Sequence, residues 1–292
     1  MGMELVIGEQ LRGNARLRES FFSLASEVFG LSFASWYQGG YWTEHYRPYA
    51  LADGGTVIAN VSANLFSVRW QGKPLQCLQI GTVMTHPQYR GQGCAAKLLR
   101  YLLADCAPRR GLVYLYANDS VLDFYPKFGF VPAQEYEYSL PVRPAAGDWR
   151  RLDLGAPCDV ELLRACYAQS NPFSALPMEE NFGLLMFHCG SFYQDCLWYS
   201  ARLRLACVAG QQEDVLYCHD FYGPAGTASL AQAVSGLAAA QTRRAVLGFV
   251  PKDTAGCLCA PTLPPDETLF VLAEQASFFQ RQPLRFPALS HA

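Results

Sequence analysis

Nowhere in these 292 residues do 18 apolar residues run together, so no segment has the length of a membrane-spanning helix. Charge is scarce at 16% and evenly signed, with 23 Lys and Arg against 25 Asp and Glu. Up to Leu140 there are 12 basic and 11 acidic residues, and after it 11 and 14, so neither part is a basic platform. Nucleic acid and anionic membranes are thereby excluded as principal partners. Gly-Lys-Ser/Thr does not occur, which excludes a Walker A phosphate loop. Cys257-x-Cys259 and Cys218-His219-Asp220 have no second pair at zinc-site spacing, and no metal is expected. The eleven cysteines are an odd number in apolar contexts such as Leu205-Ala206-Cys207-Val208, and are read as buried, reduced thiols acting as small hydrophobes. The opening MGMELVIGEQLRG lacks a signal-peptide core and places Val6 where a myristoylation motif has Ser or Thr. A cytoplasmic protein is expected.

What is present suits folded α/β domains: 51% hydrophobic residues, 18 Phe and 16 Tyr, in a chain long enough for two cores. Leu5 to Ile7 reads as a short strand, and Ala15 to Phe29 as an amphipathic helix with Leu17, Phe21, Leu24, Ala25 and Val28 on one face. Phe33 to Tyr49 is aromatic and glycine-rich without a clear period. Asp53-Gly54-Gly55 signals a hairpin, Gln71-Gly72-Lys73 a second turn, and Leu112 to Ala117 another strand. A helix is predicted around Asp119 to Phe128, and a closing strand in Glu135 to Leu140. Pro141 to Gly147 reads as a linker, dividing the chain into 1–140 and 148–292. The second part repeats the order: helices at Val160 to Gln169 and Glu179 to His188, strands at Cys196 to Ala201, Leu203 to Ala209 and Asp214 to Tyr222. Gly223-Pro-Ala-Gly226 then opens a helix over Thr227 to Ala240, before a strand at Ala245 to Val250.

The stretch from Leu78 to Ala96 carries most information. Ile80 to Thr85 has the β-branched, apolar make-up of a buried strand, and Pro87 stops it. After Arg90-Gly-Gln-Gly-Cys, the residues Ala95, Ala96, Leu98, Leu99, Leu102 and Leu103 recur at helical spacing. Strand, glycine turn, helix is an arrangement that binds phosphate: first-turn amides are unpaired, that helix end is electropositive, and Gly91 and Gly93 let an anion reach the backbone. Gly91-x-Gly93-x-x-Ala96 also satisfies a dinucleotide pattern, with Asp119 following the next strand. Yet six residues, Thr85 to Arg90, intervene before its first glycine, whereas that fingerprint begins at the strand's end. An NAD(P)-dependent oxidoreductase is accordingly a third-ranked reading.

Arg90-x-x-Gly93-x-Ala95 resembles the Arg/Gln-x-x-Gly-x-Gly/Ala signature of the GNAT superfamily of acyl-CoA-dependent N-acyltransferases. Asn118 followed by Phe124-Tyr125-Pro126-Lys127-Phe128-Gly129-Phe130 is similar to that family's Asn…Phe-Tyr-x-Lys-x-Gly-Phe motif, with Tyr125 standing 35 residues beyond Arg90. The second half keeps the strand, turn, helix order, but no Arg precedes Gly223 and no such aromatic motif follows Val250. The whole resembles the tandem, enhanced-intracellular-survival (Eis) type: an intact GNAT fold of mixed α/β sheet followed by a degenerate copy. A third, sterol-carrier-like domain usual in that type is expected to be missing here, which leaves homo-oligomerisation and the substrate pocket open.

The resemblance implies an N-acetyltransferase with acetyl-CoA as co-substrate and the primary amine of a small molecule or peptide as acceptor, attacking the thioester directly. A silent acyl-CoA-binding or regulatory module is the alternative. It places backbone contacts for the acyl carbonyl and pantetheine at a bulge involving Val83, Met84 and Thr85. Arg90, Gly91, Gln92, Gly93, Cys94, Ala95 and Ala96 would hold the pyrophosphate, and Asn118 the coenzyme arm. Tyr125 matches the family's general acid, a phenol whose ordinary pKa of about 10 keeps its proton at neutral pH. The general base stays open, because the central strand offers only Gln76 and Gln79. Glu44, His45, His86, the chain-terminal carboxylate of Ala292 and water are the candidates. Trp36, Tyr37, Tyr41, Trp42, Tyr46 and Tyr49 fall where the family lines its acceptor pocket. The last segment, Leu284 onward, either frays in solvent or threads toward the cleft between the halves, where Phe182, Phe187 and their aromatic neighbours are expected to pack.

Overall fold

Gly54 and Gly55, both at positive φ, turn the chain between β2 (Tyr46–Asp53) and the fifteen-residue β3 (Thr56–Trp70). Gln71 and Gly72, also at positive φ, return it into β4 (Lys73–Thr85), so the chain between the two predicted turns is one continuous strand. The computed structural model of the protein describes residues 2–262 and 266–291. Before this meander come β1 (Glu4–Ile7), α1 (Glu9–Gly13), α2 (Ala15–Phe29) and α3 (Ala34–Gln38), the last lying inside the aperiodic aromatic segment. The bounds of α2 are those expected: the Asn14 side chain accepts from the Leu17 amide, and Gly30 ends the helix at φ 68°. After β4 follow α4 (Cys94–Cys106), β5 (Leu112–Ala117), β6 (Phe130–Pro132) and β7 (Tyr136–Pro141). The helix predicted around Asp119 to Phe128 is instead two short 3₁₀ turns, since Pro126 has no amide to donate and cannot sit in an α-helical interior.

The second half comprises β8 (Trp149–Arg151), α5 (Pro157–Tyr167), β9 (Met178–Glu179), α6 (Phe182–Ser191), β10 (Leu197–Ser200), β11 (Leu205–Gln212) and β12 (Val215–Tyr222). Then come α7 (Leu230–Leu237), β13 (Arg244–Leu247), β14 (Leu258–Pro261), β15 (Thr268–Leu272) and α8 (Ser277–Gln280).

Two mixed sheets result, and they do not divide at residues 141–147. The first runs β1-β2-β3-β4-β5-β15-β6, with β9 added to β3; the second runs β14-β7-β13-β12-β11-β10-β8. Each half therefore lends the other a strand. β15 enters the first sheet between β5 and β6, and β7 enters the second between β13 and β14. The linear boundary drawn on the proline-rich stretch misses this exchange because strand partners are set by packing and not by chain order. A segment ending at residue 140 lacks the strand beside β5.

The two sheets repeat one geometry. β4 pairs in parallel with β5 as far as Ile80–Leu115, and β12 with β13 as far as Cys218–Leu247; beyond those residues the pairing ends while β4 and β12 continue. Register breaks at the same place in both. Val61 opposes both Thr82 and Val83, and His219 is the extra residue between the Val208–Asp220 and Ala209–Cys218 pairs.

One face of the first sheet is covered by α4, whose Leu98, Leu99 and Leu102 pack with Leu78, Ile80, Val113 and Leu115. The other face shares a continuous core with the second half: Phe187 on α6 stacks 5.1 Å from Phe33 and meets Trp36 edge-on at 5.7 Å. The buried Trp36 Nε1 donates to the Gly183 carbonyl at 2.6 Å, and Asn181 Nδ2 to the Leu65 carbonyl at 3.1 Å. Gly183 is required by this approach, because a Cβ there would stand 2.3 Å from the Tyr41 carbonyl oxygen. Gly183→Ala is expected to destabilise the fold by about 1–3 kcal/mol as α6 is pushed from the first half. Chemical denaturation monitored by tryptophan fluorescence measures it, Trp36 being at the junction.

Candidate active site

The site is built where β4 and β5 part. Thr82 sits at φ 49°, a region that a β-branched residue rarely occupies, and the surrounding side chains hold it there. Asn60 Nδ2 donates to the Thr82 carbonyl at 2.9 Å and to Ser62 Oγ at 2.8 Å. Ser62 Oγ in turn donates to the Tyr46 hydroxyl at 2.9 Å, and that hydroxyl to Thr82 Oγ1 at 3.2 Å. All four residues are buried, and burial pushes the Tyr46 phenol up to about 12, so it remains a donor. The bulge thus opens at Thr82, one residue before the expected Val83, Met84 and Thr85. Sequence alone could not mark Thr82, because nothing in its residue type announces a left-handed backbone.

From Thr85 the chain passes through a 3₁₀ turn at Pro87–Tyr89 to Gly91 and Gly93, at φ 74° and 77°. Both glycines face open space, with no atom within 4 Å of where a Cβ would lie. Gly93 is the N-cap of α4 and no side chain caps the helix, so the first-turn amides from Gly93 to Ala96 have no intrahelical partner. Arg90 is exposed at this edge, its Nε donating to the Thr85 carbonyl at 3.2 Å, while Gln92 Nε2 bonds the Gln88 carbonyl at 3.1 Å. The second half differs at this point. Ser229 caps α7 by accepting from the Gln232 amide, and the Gln232 side chain accepts from the Ser229 amide, a reciprocal box that satisfies these two donors at the helix end.

Asn118 is exposed just past the end of β5, its side chain unused in capping the following turn. Tyr125 is buried on the α4 side of the sheet, 5.1 Å from Phe124, 6.3 Å from Phe130 and 5.9 Å from Phe270, ring centre to ring centre. Burial pushes its phenol up to about 12. Phe270 belongs to β15, so the exchanged strand forms part of the setting of Tyr125.

On the opposite face an apolar slot, lined among others by Phe33, Trp36, Tyr46, Leu184 and Phe187, reaches Asn64 and Thr82. Its free space is about 20 Å³, room for a water molecule. Trp36, Tyr41 and Phe187 also line a wider groove of about 650 Å³ between the halves, with Arg151, Asp153 and Asp195 at its rim. Tyr37 and Trp42 instead pack beside α2, and Tyr49 points to the other face of the sheet, so the aromatic wall is narrower than the sequence suggested.

The base candidates are dispersed. Glu44 is exposed, and His45 Nδ1 lies 3.0 Å from the Leu65 carbonyl. His86 Nδ1 accepts from the Gln88 amide at 3.4 Å and its Nε2 is 4.0 Å from Glu27. Gln76 bonds Arg110 and Ser67, and Gln79 accepts from Asn64 Nδ2 at 2.6 Å. Ala292 lies outside the described residues. The segment leading to it does not fray: Leu284, Phe286, Leu289 and Ser290 are buried between the halves.

Residues 14–133 match the family model of the acetyltransferase (GNAT) domain. No curated protein sequence matches the chain. Among solved structures, a probable N-acyltransferase from Enterococcus faecalis V583 superposes with a TM-score of 0.60 at 18% identity, over 96% of this chain and 74% of its own. Eis1 from Mycobacterium abscessus gives 0.56 at 15%, over 94% and 75%, and a GCN5-related N-acetyltransferase from Kribbella flavida 0.56 at 14%, over 92% and 71%. The fold is that of the acyl-CoA N-acyltransferases. Residues 14–133 thus carry an acetyltransferase (GNAT) domain match, and the two-sheet fold is the one shared with the tandem, Eis-like solved structures.

Proposed function

We propose that this protein transfers an acetyl group from acetyl-CoA to the primary amine of a small molecule or peptide, by direct attack on the thioester. The observation that carries the reading is the contrast between the two copies. Behind Gly93 no side chain caps the amides of α4, whereas at the start of α7 Ser229 and Gln232 close a reciprocal capping box that takes two of the amides. The first copy thus keeps a ready anion site for a pyrophosphate, and the second has lost it.

Within the first copy, the bulge at Thr82 and Val83 releases backbone amides from the ladder toward the splay, where they can polarise an acyl carbonyl. Arg90 and the amides from Gly91 to Ala96 bind the pyrophosphate, Val83 to Thr85 and Asn118 line the coenzyme arm, and Tyr125 donates a proton to the departing thiolate. Its raised pKa keeps that proton in place across the neutral range. The wider groove between the halves, which shares Trp36, Tyr41 and Phe187 with the slot at Thr82, receives the amine, and α6 lines it, so the second half serves the first as a wall.

Titration with acetyl-CoA and, separately, with NADH tests the reading: one equivalent of acetyl-CoA per chain is expected and no NADH. NADH binding without acetyl-CoA binding would support an oxidoreductase instead. Thiol release from acetyl-CoA over a panel of primary amines tests turnover, and binding without release from any amine would support a silent module.

A further inference from the structure

On the face of the first sheet that lines the apolar slot, β4 supplies no carboxylate or imidazole, only Gln79 and Thr82. The segment after α8 brings one to that face. Phe286 stacks on Tyr114 of β5 with ring centres 3.6 Å apart and planes 9° apart, and its amide donates to Glu135 Oε1 at 2.7 Å. Ser290 Oγ lies 2.7 Å from the Tyr114 hydroxyl, and the Ala288 amide donates to the Gly248 carbonyl at 2.7 Å.

These anchors lay His291 over Tyr116, ring centres 4.3 Å apart. Tyr116 is one residue beyond Leu115, where β4 and β5 cease to pair. His291 Nδ1 stands 3.0 Å from Glu267 Oε1, just ahead of β15, which leaves Nε2 without a partner among the described residues. An imidazole oriented by a carboxylate through one nitrogen, with the other open, is the arrangement of a general base.

We propose that His291, oriented by Glu267, is the base that takes the proton of the acceptor amine. This rests on the acetyltransferase reading above. As the amine nitrogen bonds to the acyl carbon and the carbon–sulfur bond breaks, His291 Nε2 takes a proton from nitrogen while Tyr125 gives one to sulfur. Both then exchange with solvent. Tyr125 packs on the α4 face and His291 on the other, so acid and base act from opposite sides of the splay. The charged and titratable groups around His291 are Tyr116 on β5, Glu267 just ahead of β15, Glu135 between β6 and β7, Arg285 from its own segment and His188 from α6.

The test uses the full chain. His291→Ala is expected to lower kcat about 100-fold with acetyl-CoA affinity unchanged, and added imidazole is expected to restore turnover in proportion to its concentration. Glu267→Gln should lower kcat less and shift the acid limb of the pH–rate profile. The isosteric His291→Gln, checked by thermal denaturation, guards against a folding defect in the alanine variant. Wild-type turnover in both His291 variants overturns the proposal, as does a slow, folded His291→Ala enzyme that imidazole does not rescue. If the wild-type protein releases no thiol with any amine, the acetyltransferase reading itself fails, and the proposal with it.

Discussion

Tyr125→Phe is expected to lower kcat for acetyl transfer by about 100- to 10,000-fold while leaving acetyl-CoA affinity and fold stability nearly unchanged. The substitution removes one oxygen from a ring packed among Phe124, Phe130 and Phe270, and the ring itself stays. That hydroxyl has no hydrogen-bond partner among the described residues, so its loss orphans no neighbour. The hydroxyl oxygen is not among the fully buried atoms left without a partner, so the ring is buried while its oxygen stays within reach of the site. With burial holding its proton, the group is a donor waiting for an acceptor, and the departing thiolate is the acceptor that the reaction supplies. Steady-state thiol release, with coenzyme affinity measured separately by calorimetry, distinguishes this from a packing role. A packing role would lower the melting temperature and leave kcat near wild type.

The parts of this molecule that could be read in advance are those fixed by local chemistry. Asn14 and Gly30 delimit α2, Gly54 and Gly55 turn the hairpin, and Gly91 with Gly93 shape the loop before α4, because each acts through its own backbone or its nearest neighbours. Position along the chain could not reveal what depends on distant partners. Thr82 looks like any strand threonine, and only Asn60, Ser62 and Tyr46 packed against it hold it in the left-handed region. The strand at Thr268–Leu272 lay among short apolar runs near the end, yet it completes the first sheet because β5 and β6 leave a gap of its width. The segment from Leu284 was apolar without period, the mark of chain buried by surroundings and not by a pattern of its own. His291, half-exposed at the edge of that core, carries no signal as a single histidine near a chain end until Tyr114, Phe286 and Ser290 fix its place.

Gly93→Asp is expected to weaken acetyl-CoA binding by at least about 100-fold, and Gly226→Asp to leave it unchanged. The two positions are a matched pair. Both are at positive φ, 77° and 83°, with open space where a Cβ would go, so the backbone strain and steric cost are alike. Aspartate is among the residues that tolerate this region best, and at Gly93 it would stand at the N-cap of α4, a position it favours. The fold should therefore survive. What changes is the anion site: the new carboxylate accepts from the first-turn amides that a pyrophosphate would use, and sets a negative charge against it. Charge-assisted hydrogen bonds are worth about 1.5–3 kcal/mol each, so losing one or two accounts for a 100-fold effect, about 2.7 kcal/mol. Gly226 lies three residues ahead of the N-cap of α7, whose Ser229 and Gln232 amides are already bonded within the capping box, so the same charge there stands away from the start of α4 and displaces nothing from it. Calorimetric titration of both variants with acetyl-CoA, alongside their melting temperatures, measures the difference. Equal weakening in the two would mean that the coenzyme's phosphates are not held at the start of α4.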